Sequence, residues 1–218
     1  MVKEALVVPR ENLFKEKYFE GFLPAHEHEF ISVILKNFSY CPRGEELENN
    51  NNLQQIIPYV WIINQKTKKV FLYKRILSNN SQNKEYVEKR YLNKYSGGIG
   101  GHIEKDTEEK SDNPIQTTML KEMKEEVFMK NYPVAEIIGY IKDDSDSIGK
   151  VHFGVIAIAK TLENVFSNDK EGLSSGKFYS VEEVEELFAN TNNEIENWTK
   201  ISWPFVKKYL IWDAAIGN

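Results

Sequence analysis

The chain has 218 residues, with 28 Lys and Arg against 33 Asp and Glu, which gives a net charge of −5. This length allows one large domain or two small ones, and the 41% share of hydrophobic residues excludes a chain that is disordered throughout. The mild acidity provides no basic stripe of the kind that grips DNA or RNA, so we expect no stable nucleic-acid partner. A single cysteine cannot form an intramolecular disulfide, which favours a reducing compartment.

The hydrophobic runs of the chain are short. The first 22 residues lack the apolar core of a secretory signal. Stretches such as Val151–Ala159 fall far short of the roughly 18 apolar residues needed to cross a bilayer. We therefore expect a cytoplasmic protein with no membrane partner.

The N-terminal part contains few clear elements. Ala5–Val8 is predicted as a short strand, and His26–Phe38 has apolar residues close to helical spacing. Asn49–Asn52 belongs to a polar segment typical of a surface loop. We interpret residues 1–53 as an N-terminal extension packed on a main domain formed by residues 54–218.

The main domain begins with strand-like sequence. Ile56–Asn64 and Val70–Ile76 are rich in β-branched and aromatic residues, and the polar turn between them predicts a hairpin. A glycine-rich segment follows, and Pro114–Met129 is predicted as a helix with Asn113 as its N-cap. The glycines of that segment are Gly97, Gly98, Gly100 and Gly101.

Two further strands and two helices complete the predicted elements. Val134–Ile141 and Lys150–Lys160 are predicted as strands. Ser180 and the glutamate three residues on form a capping-box pattern. Glu194–Trp212 is predicted as an amphipathic helix bent near Pro204. Strands that flank a central helix, with helices following, indicate a mixed sheet covered by helices, an α/β (α+β) fold class.

The predicted central helix carries an unusual group of carboxylates. Glu122 and Glu126 are one turn apart, about 40° from each other around the helix, and Glu125 lies about 60° to the other side of Glu122. Such like charges repel, but they become favourable with a divalent cation between them. Oxygen ligands select Mg²⁺ or Mn²⁺. A solvated helix face is the competing interpretation, and the glycine-rich turn upstream weighs against it because its backbone can approach phosphates closely.

At this point the sequence resembles the Nudix box, G-x5-E-x7-R-E-U-x-E-E-x-G-U, where U is aliphatic. Gly101 matches the first glycine, and Glu122, Glu125 and Glu126 match the three helical glutamates. Lys121 stands in the place of the family arginine. Flanking segments resemble a MutT-like branch described as predicted phosphoesterases, and these segments are Gln54–Tyr59, Tyr73–Arg75, Arg90–Ile103 and Gly149–Val155.

The chain departs from the box in its loop. Gly101 and Lys121 are 20 positions apart, against 14 in the family pattern, so six extra residues lie between them. No glutamate stands at the upstream position of the pattern. Its role passes to one of the loop acids or is lost, and these acids are Glu104, Asp106, Glu108 and Glu109.

The resemblance implies a Nudix-like α/β/α sandwich and a metal-dependent hydrolase of a diphosphate bond in a small nucleoside-diphosphate-type molecule. By the resemblance, Glu122, Glu125 and Glu126 bind Mg²⁺ and the Gly100 carbonyl completes the site. A box glutamate or a carboxylate on a later loop serves as general base, with Glu171 preferred for that loop and Glu163 after it. Lys121 keeps the charge of the family arginine but not its bidentate fork.

Three residues are candidates for holding phosphate. Arg75 and Arg90 flank the predicted site and can hold phosphate bidentately, although surface ion pairs explain them equally well. His102 directly follows the glycine-rich turn and is either a phosphate contact or a structural histidine. His152 lies in an apolar strand and is better explained as a core histidine.

Other functions remain open at this level. A Nudix-fold nucleotide-binding or regulatory module with weak or no catalysis is favoured by the altered box. An isopentenyl-diphosphate isomerase shares the fold, but it needs a cysteine in its site, and Cys41 lies outside the recognisable domain. The sequence does not identify the substrate, and tryptophans near the C-terminus allow a homodimer surface.

Overall fold

The computed structural model describes residues 2–76, 92–105 and 112–212. Its strands are β1 Glu4–Pro9, β2 Gly21–Pro24, β3 Ser39–Pro42, β4 Leu53–Asn64, β5 Lys69–Arg75, β6 Tyr95–Ser96, β7 Gly98–Ile99, β8 Val127–Phe128, β9 Glu136–Lys142, β10 His152–Thr161, β11 Phe166–Ser167 and β12 Leu173–Tyr179. Its α-helices are α1 Arg10–Leu13, α2 Phe30–Asn37, α3 Glu45–Glu48, α4 Pro114–Glu126, α5 Ser147–Val151, α6 Val181–Ala189 and α7 Asn197–Trp212. Short 3₁₀ turns occupy Ala25–Glu27 and Asp169–Glu171.

The chain divides into two compact units. The first unit comprises Met1–Tyr59, Gly100–Met119 and Glu136–Ala157. The second unit comprises Val60–Ile99, Leu120–Ala135 and Ile158–Asn218.

In the first unit, β1 is an internal strand. It pairs antiparallel with β3 and with β4, and strand order continues from β4 through β10 and β9 to β2. The four residues from Ala5 to Val8 are all fully buried. Consecutive apolar residues, rather than alternating ones, are what a strand covered on both faces requires. An aromatic cluster fills part of the core, formed by Phe14, Phe19, Phe30, Tyr140 and Phe153.

In the second unit, β5 lies between β4 and β12, while β6 pairs with β5 and β7 pairs with β4. The predicted hairpin is confirmed by antiparallel pairing of Ile63 with Val70. Its turn is stabilised by the Asn64 side chain, which accepts hydrogen bonds from the backbone N–H groups of Lys66 and Thr67 at 3.0 Å. Helix α7 packs Trp203 against Trp61, with ring centroids 6.0 Å apart.

Two helix boundaries in the structure differ from those predicted from the sequence. The helix that starts at Pro114 ends at Glu126 instead of Met129, because Val127 and Phe128 pair with β11. The last helix starts at Asn197 instead of Glu194, because residue 194 bonds the backbone of Tyr95. The N-cap role of Asn113 and the capping box at Ser180 are confirmed.

Sheet strands and covering helices together confirm the predicted α/β (α+β) fold class. Among the described residues, no helix is long and apolar enough to span a membrane.

Candidate functional site

Helix α4 separates a buried apolar side from its carboxylates. Met119, Met123 and Val127, the residue just beyond the helix, are buried. Around the same turns, Glu126 is 8% exposed, and the side chain of Glu122 is 12% exposed. Glu125 points to solvent. The helix therefore presents two partly covered carboxylates one turn apart and a third that is open.

Arg75, at the end of β5, is the cation beside Glu126. Its Nη1 lies 4.0 Å from Oε1 of Glu126, and its side chain is 25% exposed. A buried carboxylate is costly unless a cation or hydrogen-bond donors accompany it. The ion-pair interpretation of Arg75 therefore has a specific partner, a glutamate of the box.

Lys121, which stands in the place of the family arginine, lies beside Glu122. Its Nζ lies 3.9 Å from Oε1 of Glu122, the neighbouring residue in the helix. An ammonium at this distance supplies charge but not the two parallel hydrogen bonds that a guanidinium offers.

The loop that contains Asn168 is hydrogen-bonded to the end of α4. The backbone N–H of Asn168 donates to the carbonyl of Glu126 at 2.9 Å, and its Nδ2 donates to the carbonyl of Glu125 at 2.8 Å. The 3₁₀ turn that includes Glu171 follows immediately. Asn168 was not singled out from the sequence, since a single polar loop residue carries no pattern.

Glu163, the second choice for a loop base, is engaged elsewhere. It accepts hydrogen bonds from the backbone N–H groups of Lys130 and Asn131 at 3.0 and 3.1 Å, and a further one from the Asn131 side chain. These donors lower the pKa of Glu163, the Asn131 side chain contributing most. Glu163 holds the turn after β8 in place.

The glycine-rich turn is fixed by the start of α7. The backbone N–H of Gly97 donates to Oγ1 of Thr199 at 3.0 Å, and Oγ of Ser96 donates to Oε2 of Glu196 at 2.5 Å. The hydroxyl of Tyr73 donates to the Gly98 carbonyl at 2.7 Å. The sequence signal for this network is a polar pair, Glu196 and Thr199, at the start of the last helix, and apolar periodicity does not reveal it.

Gly100 has its own steric requirement within the first unit. A Cβ at this position would overlap the carbonyl oxygen of Pro58. Only glycine fits there without moving the β4 backbone, so the close approach of these two segments depends on residue 100.

His102 contacts His152 in the first unit. Their Nε2 atoms are 3.3 Å apart, and the ring planes are inclined at 68°. Burial, and then the charge of Arg43, holds the pKa of His102 well below its usual range. Burial likewise lowers the pKa of His152. His152 is 6% exposed, so it lies in the core as its apolar strand indicates.

Glu48 joins the two histidines. One ligand atom from each of Glu48, His102 and His152 lies within 4.8 Å of the others. Among the described residues this is the one group of three acidic, histidine or cysteine side chains so arranged. The carboxylates of the box glutamates are not drawn together in this way, as mutual repulsion between like charges would lead one to expect.

Some candidate residues lie outside the described part of the chain, namely Arg90, Asp106, Glu108 and Glu109. Of the acids in the lengthened loop, Glu104 is described, and it forms ion pairs with Lys3 at 2.9 Å and Arg43 at 3.3 Å.

Comparison with known proteins places this geometry in context. No family model matches the sequence. Protein YmaB of Bacillus subtilis (strain 168) is 29% identical over 204 residues, which is 89% of this chain and 93% of YmaB. The crystal structure of Tm1382, a candidate Nudix hydrolase, superposes with a TM-score of 0.72 at 24% identity, over 94% of this chain and 99% of that one. The chain has the Nudix fold.

The resemblance to the Nudix superfamily is thereby confirmed at the level of the fold. A NUDIX hydrolase from Alicyclobacillus acidocaldarius superposes with a TM-score of 0.48 at 10% identity, over 73% of this chain and 91% of that one, and adds no further argument. In the Nudix fold of this chain, α4 carries the box glutamates and β7 lies in the glycine-rich turn before it.

Proposed function

We propose that the protein is a Nudix-type hydrolase that uses Mg²⁺ or Mn²⁺ to cleave a diphosphate bond in a small nucleoside-diphosphate-type molecule. The observation that carries this proposal is the turn of α4 on which Glu122 and Glu126 are partly covered while Glu125 is open. Without a bound cation, three neighbouring carboxylates on one helix are unfavourable, because like charges repel and two of the three are shielded from water.

The residues present fit a hard divalent cation in donor chemistry. Glu122, Glu125 and Glu126 offer only oxygen atoms, the donors that such an ion prefers. When bound, the cation neutralises phosphate charge and supplies a water of lowered pKa. Side-chain rotation is needed first, because the box carboxylates do not converge in their present rotamers.

The remaining residues act by holding and orienting. Arg75 places a positive charge beside the buried carboxylate of Glu126, and Lys121 places one beside Glu122. Asn168 fixes the end of α4 and with it the backbone that leads to Glu171. A box glutamate or Glu171 accepts the proton of the attacking water, and Arg75 and Arg90 are the proposed contacts to substrate phosphate.

A test of this proposal uses the purified protein and a panel of nucleotide sugars, dinucleotides and nucleoside triphosphates with Mg²⁺ or Mn²⁺. We expect turnover of at least one class, reduced about 100-fold or more by Glu125→Gln or Glu126→Gln. Glu125→Gln is the cleaner variant because the side chain is exposed and the fold is not at risk. Glu186→Gln, an exposed acid on α6, is the matched control and should leave turnover unchanged.

The alternative function is a nucleotide-binding module with little or no catalysis. The specific observation in its favour is that the box carboxylates are not drawn together. Tight nucleotide binding with no turnover across the whole panel would establish this alternative and reject the hydrolase. Turnover that Glu125→Gln and Glu126→Gln leave intact would reject the box helix as its site.

A further inference from the structure

Three segments of the first unit bring metal-ligating side chains together. Glu48 ends α3, His102 follows the glycine-rich turn, and His152 begins β10. We propose that Glu48, His102 and His152 bind a divalent transition metal of the zinc type, with a fourth coordination position left for water or a small anion. This site has a different donor set from the box helix and does not depend on the proposed hydrolase function.

The spacing of the two imidazoles fits such an ion. Zn–N bonds of about 2.0–2.1 Å in a tetrahedral site place two ligand nitrogens about 3.3 Å apart. The Nε2 atoms of His102 and His152 are 3.3 Å apart. As a direct N–H···N hydrogen bond, the same separation would be long. The ring centroids are 5.4 Å apart and the rings are inclined at 68°, an arrangement compatible with one ion shared by the two Nε2 atoms.

His152 is oriented as a metal ligand. Its Nδ1 lies 2.8 Å from the carbonyl oxygen of Ile148. A carbonyl can only accept, so Nδ1 carries the proton and Nε2 of the neutral ring presents its lone pair. Metal-ligating histidines commonly donate their other ring N–H to a backbone carbonyl in this manner, which fixes both tautomer and orientation.

The carboxylate of Glu48 is also oriented by a hydrogen bond from a buried side chain. Nε2 of Gln55, a fully buried residue of β4, donates to Oε1 of Glu48 at 3.3 Å. The buried neighbour Leu47 anchors the short helix that bears Glu48. Position 102 is fixed through the next residue, since the backbone N–H of Leu6 donates to the Ile103 carbonyl at 2.8 Å. All three ligands are therefore positioned by neighbouring residues of the same unit.

Cationic side chains near the cluster have anionic partners. Lys3 and Arg43 pair with Glu104, and Lys142, which approaches the His152 backbone, pairs with Asp144 at 2.6 Å. These pairs leave the Glu48 carboxylate to offset the charge of a bound ion. Two imidazoles and one carboxylate suit zinc and neighbouring transition metals, whereas Mg²⁺ prefers oxygen ligands alone.

The experiment measures metal uptake by the full-length protein after chelator treatment and dialysis. Zn²⁺ is titrated by calorimetry in excess Mg²⁺, bound metal is counted by elemental analysis, and Co²⁺ substitution is followed by visible absorption. We expect one equivalent of Zn²⁺, a tetrahedral Co²⁺ spectrum, and a melting temperature raised by about 5 °C when free Zn²⁺ is about 100 times the Kd.

Variants assign the ligands. His102→Asn and Glu48→Gln should weaken Zn²⁺ binding at least about tenfold and abolish the Co²⁺ spectrum, whereas Glu46→Gln, an exposed acid on the same helix, should change neither. The double variant Glu125→Gln/Glu126→Gln should retain full uptake. His152 is buried, so His152→Asn would affect stability as well as metal binding and cannot assign the ligand by itself.

The possible results separate clearly. No stoichiometric uptake by the wild type would overturn the proposal and leave a simple contact between two buried histidines. Uptake that survives Glu48→Gln and His102→Asn, or that disappears in the double box variant, would overturn it as well. None of these results depends on whether the protein hydrolyses a diphosphate.

Discussion

The guanidinium group that lies beside the box helix belongs to Arg75. Lys121 stands where the Nudix pattern has arginine, yet its Nζ lies 3.9 Å from Glu122, and the arginine of this region comes from the end of β5 instead. Arg75 lies 4.0 Å from the buried carboxylate of Glu126. We interpret Arg75 as a positioning residue for that carboxylate.

Substitution of Arg75 tests this role. Arg75→Gln should lower Mg²⁺-supported turnover about 10–100-fold and raise the Mg²⁺ concentration needed for half-maximal rate, because Glu126 loses the cation that orients it. Arg75→Lys should recover part of the loss. Lys69→Gln, on the same strand, breaks an exposed ion pair with Glu183 and is the control, since such pairs contribute little. An unchanged Mg²⁺ dependence in Arg75→Gln would contradict the interpretation.

At the scale of elements, the start of α7 holds the glycine-rich turn in place by hydrogen bonds. Thr199 and Glu196, both buried, bind the backbone and side chain of the turn at Ser96 and Gly97. A Cβ at Gly97 would overlap the indole of Trp61, and Trp61 in turn donates from Nε1 to Oγ of Ser202 at 3.0 Å. The last helix therefore positions the turn that leads to the box.

Thr199→Val keeps the shape of the side chain and removes the acceptor for Gly97. We expect a loss of about 1–3 kcal/mol in the free energy of unfolding, because a buried N–H is left without its partner. Denaturant titration measures it, with Lys200→Gln on the exposed side of the same helix as a control that should change stability by less than about 0.5 kcal/mol. Equal stability of Thr199→Val and the wild type would show that the hydrogen bond is replaceable.

The end of α4 shows where apolar periodicity fails to predict a helix boundary. The apolar pattern of α4 continues to Met129, but the chain leaves the helix after Glu126 because pairing with β11 satisfies the next backbone groups. Asn168 then bonds the freed carbonyls of Glu125 and Glu126. A partner strand some 40 residues later in the chain cannot be read from local spacing.

For the molecule as a whole, we expect stability at low pH to depend in part on the charge cluster around the buried Lys142. Lys142 is fully buried and lies 2.6 Å from Asp144, which also pairs with Arg10 at 2.6 Å and accepts from Tyr18 at 3.0 Å. Burial acts to raise the pKa of Asp144, but the hydrogen bonds from Arg10 and Lys142 outweigh it, so the pKa is lowered.

Asp144→Asn should therefore destabilise the fold by about 3 kcal/mol at pH 7, because the buried ammonium of Lys142 loses its counter-charge. A carboxyl whose pKa is depressed in the folded state stabilises fully above its unfolded value near 4 and loses that contribution as pH falls through the folded value. The difference from the wild type should thus shrink below about pH 4. Denaturant titrations at pH 7 and 3.5 measure it, and Glu16→Gln, an exposed acid, is the control. A difference that is absent at pH 7, or constant with pH, would contradict this account.

The sequence by itself determined the fold class, the hairpin at β4 and β5, the caps at Asn113 and Ser180, and the helix on which the three glutamates stand. These features depend on local periodicity, turn chemistry and capping, all of which act within a few residues. The Nudix resemblance depends on the box and on several short flanking segments, and the fold agrees with it.

Only the tertiary structure decided which side chains meet. The burial of Glu126 beside Arg75, the hold of Thr199 on the glycine-rich turn, and the convergence of Glu48, His102 and His152 join segments that are far apart in the chain. The sequence allows His102 to be a phosphate contact or a structural histidine, and in the structure it faces a second imidazole. The physical reason is that strand pairing and packing bring these segments together, and no local pattern records a partner 50 or 100 residues away.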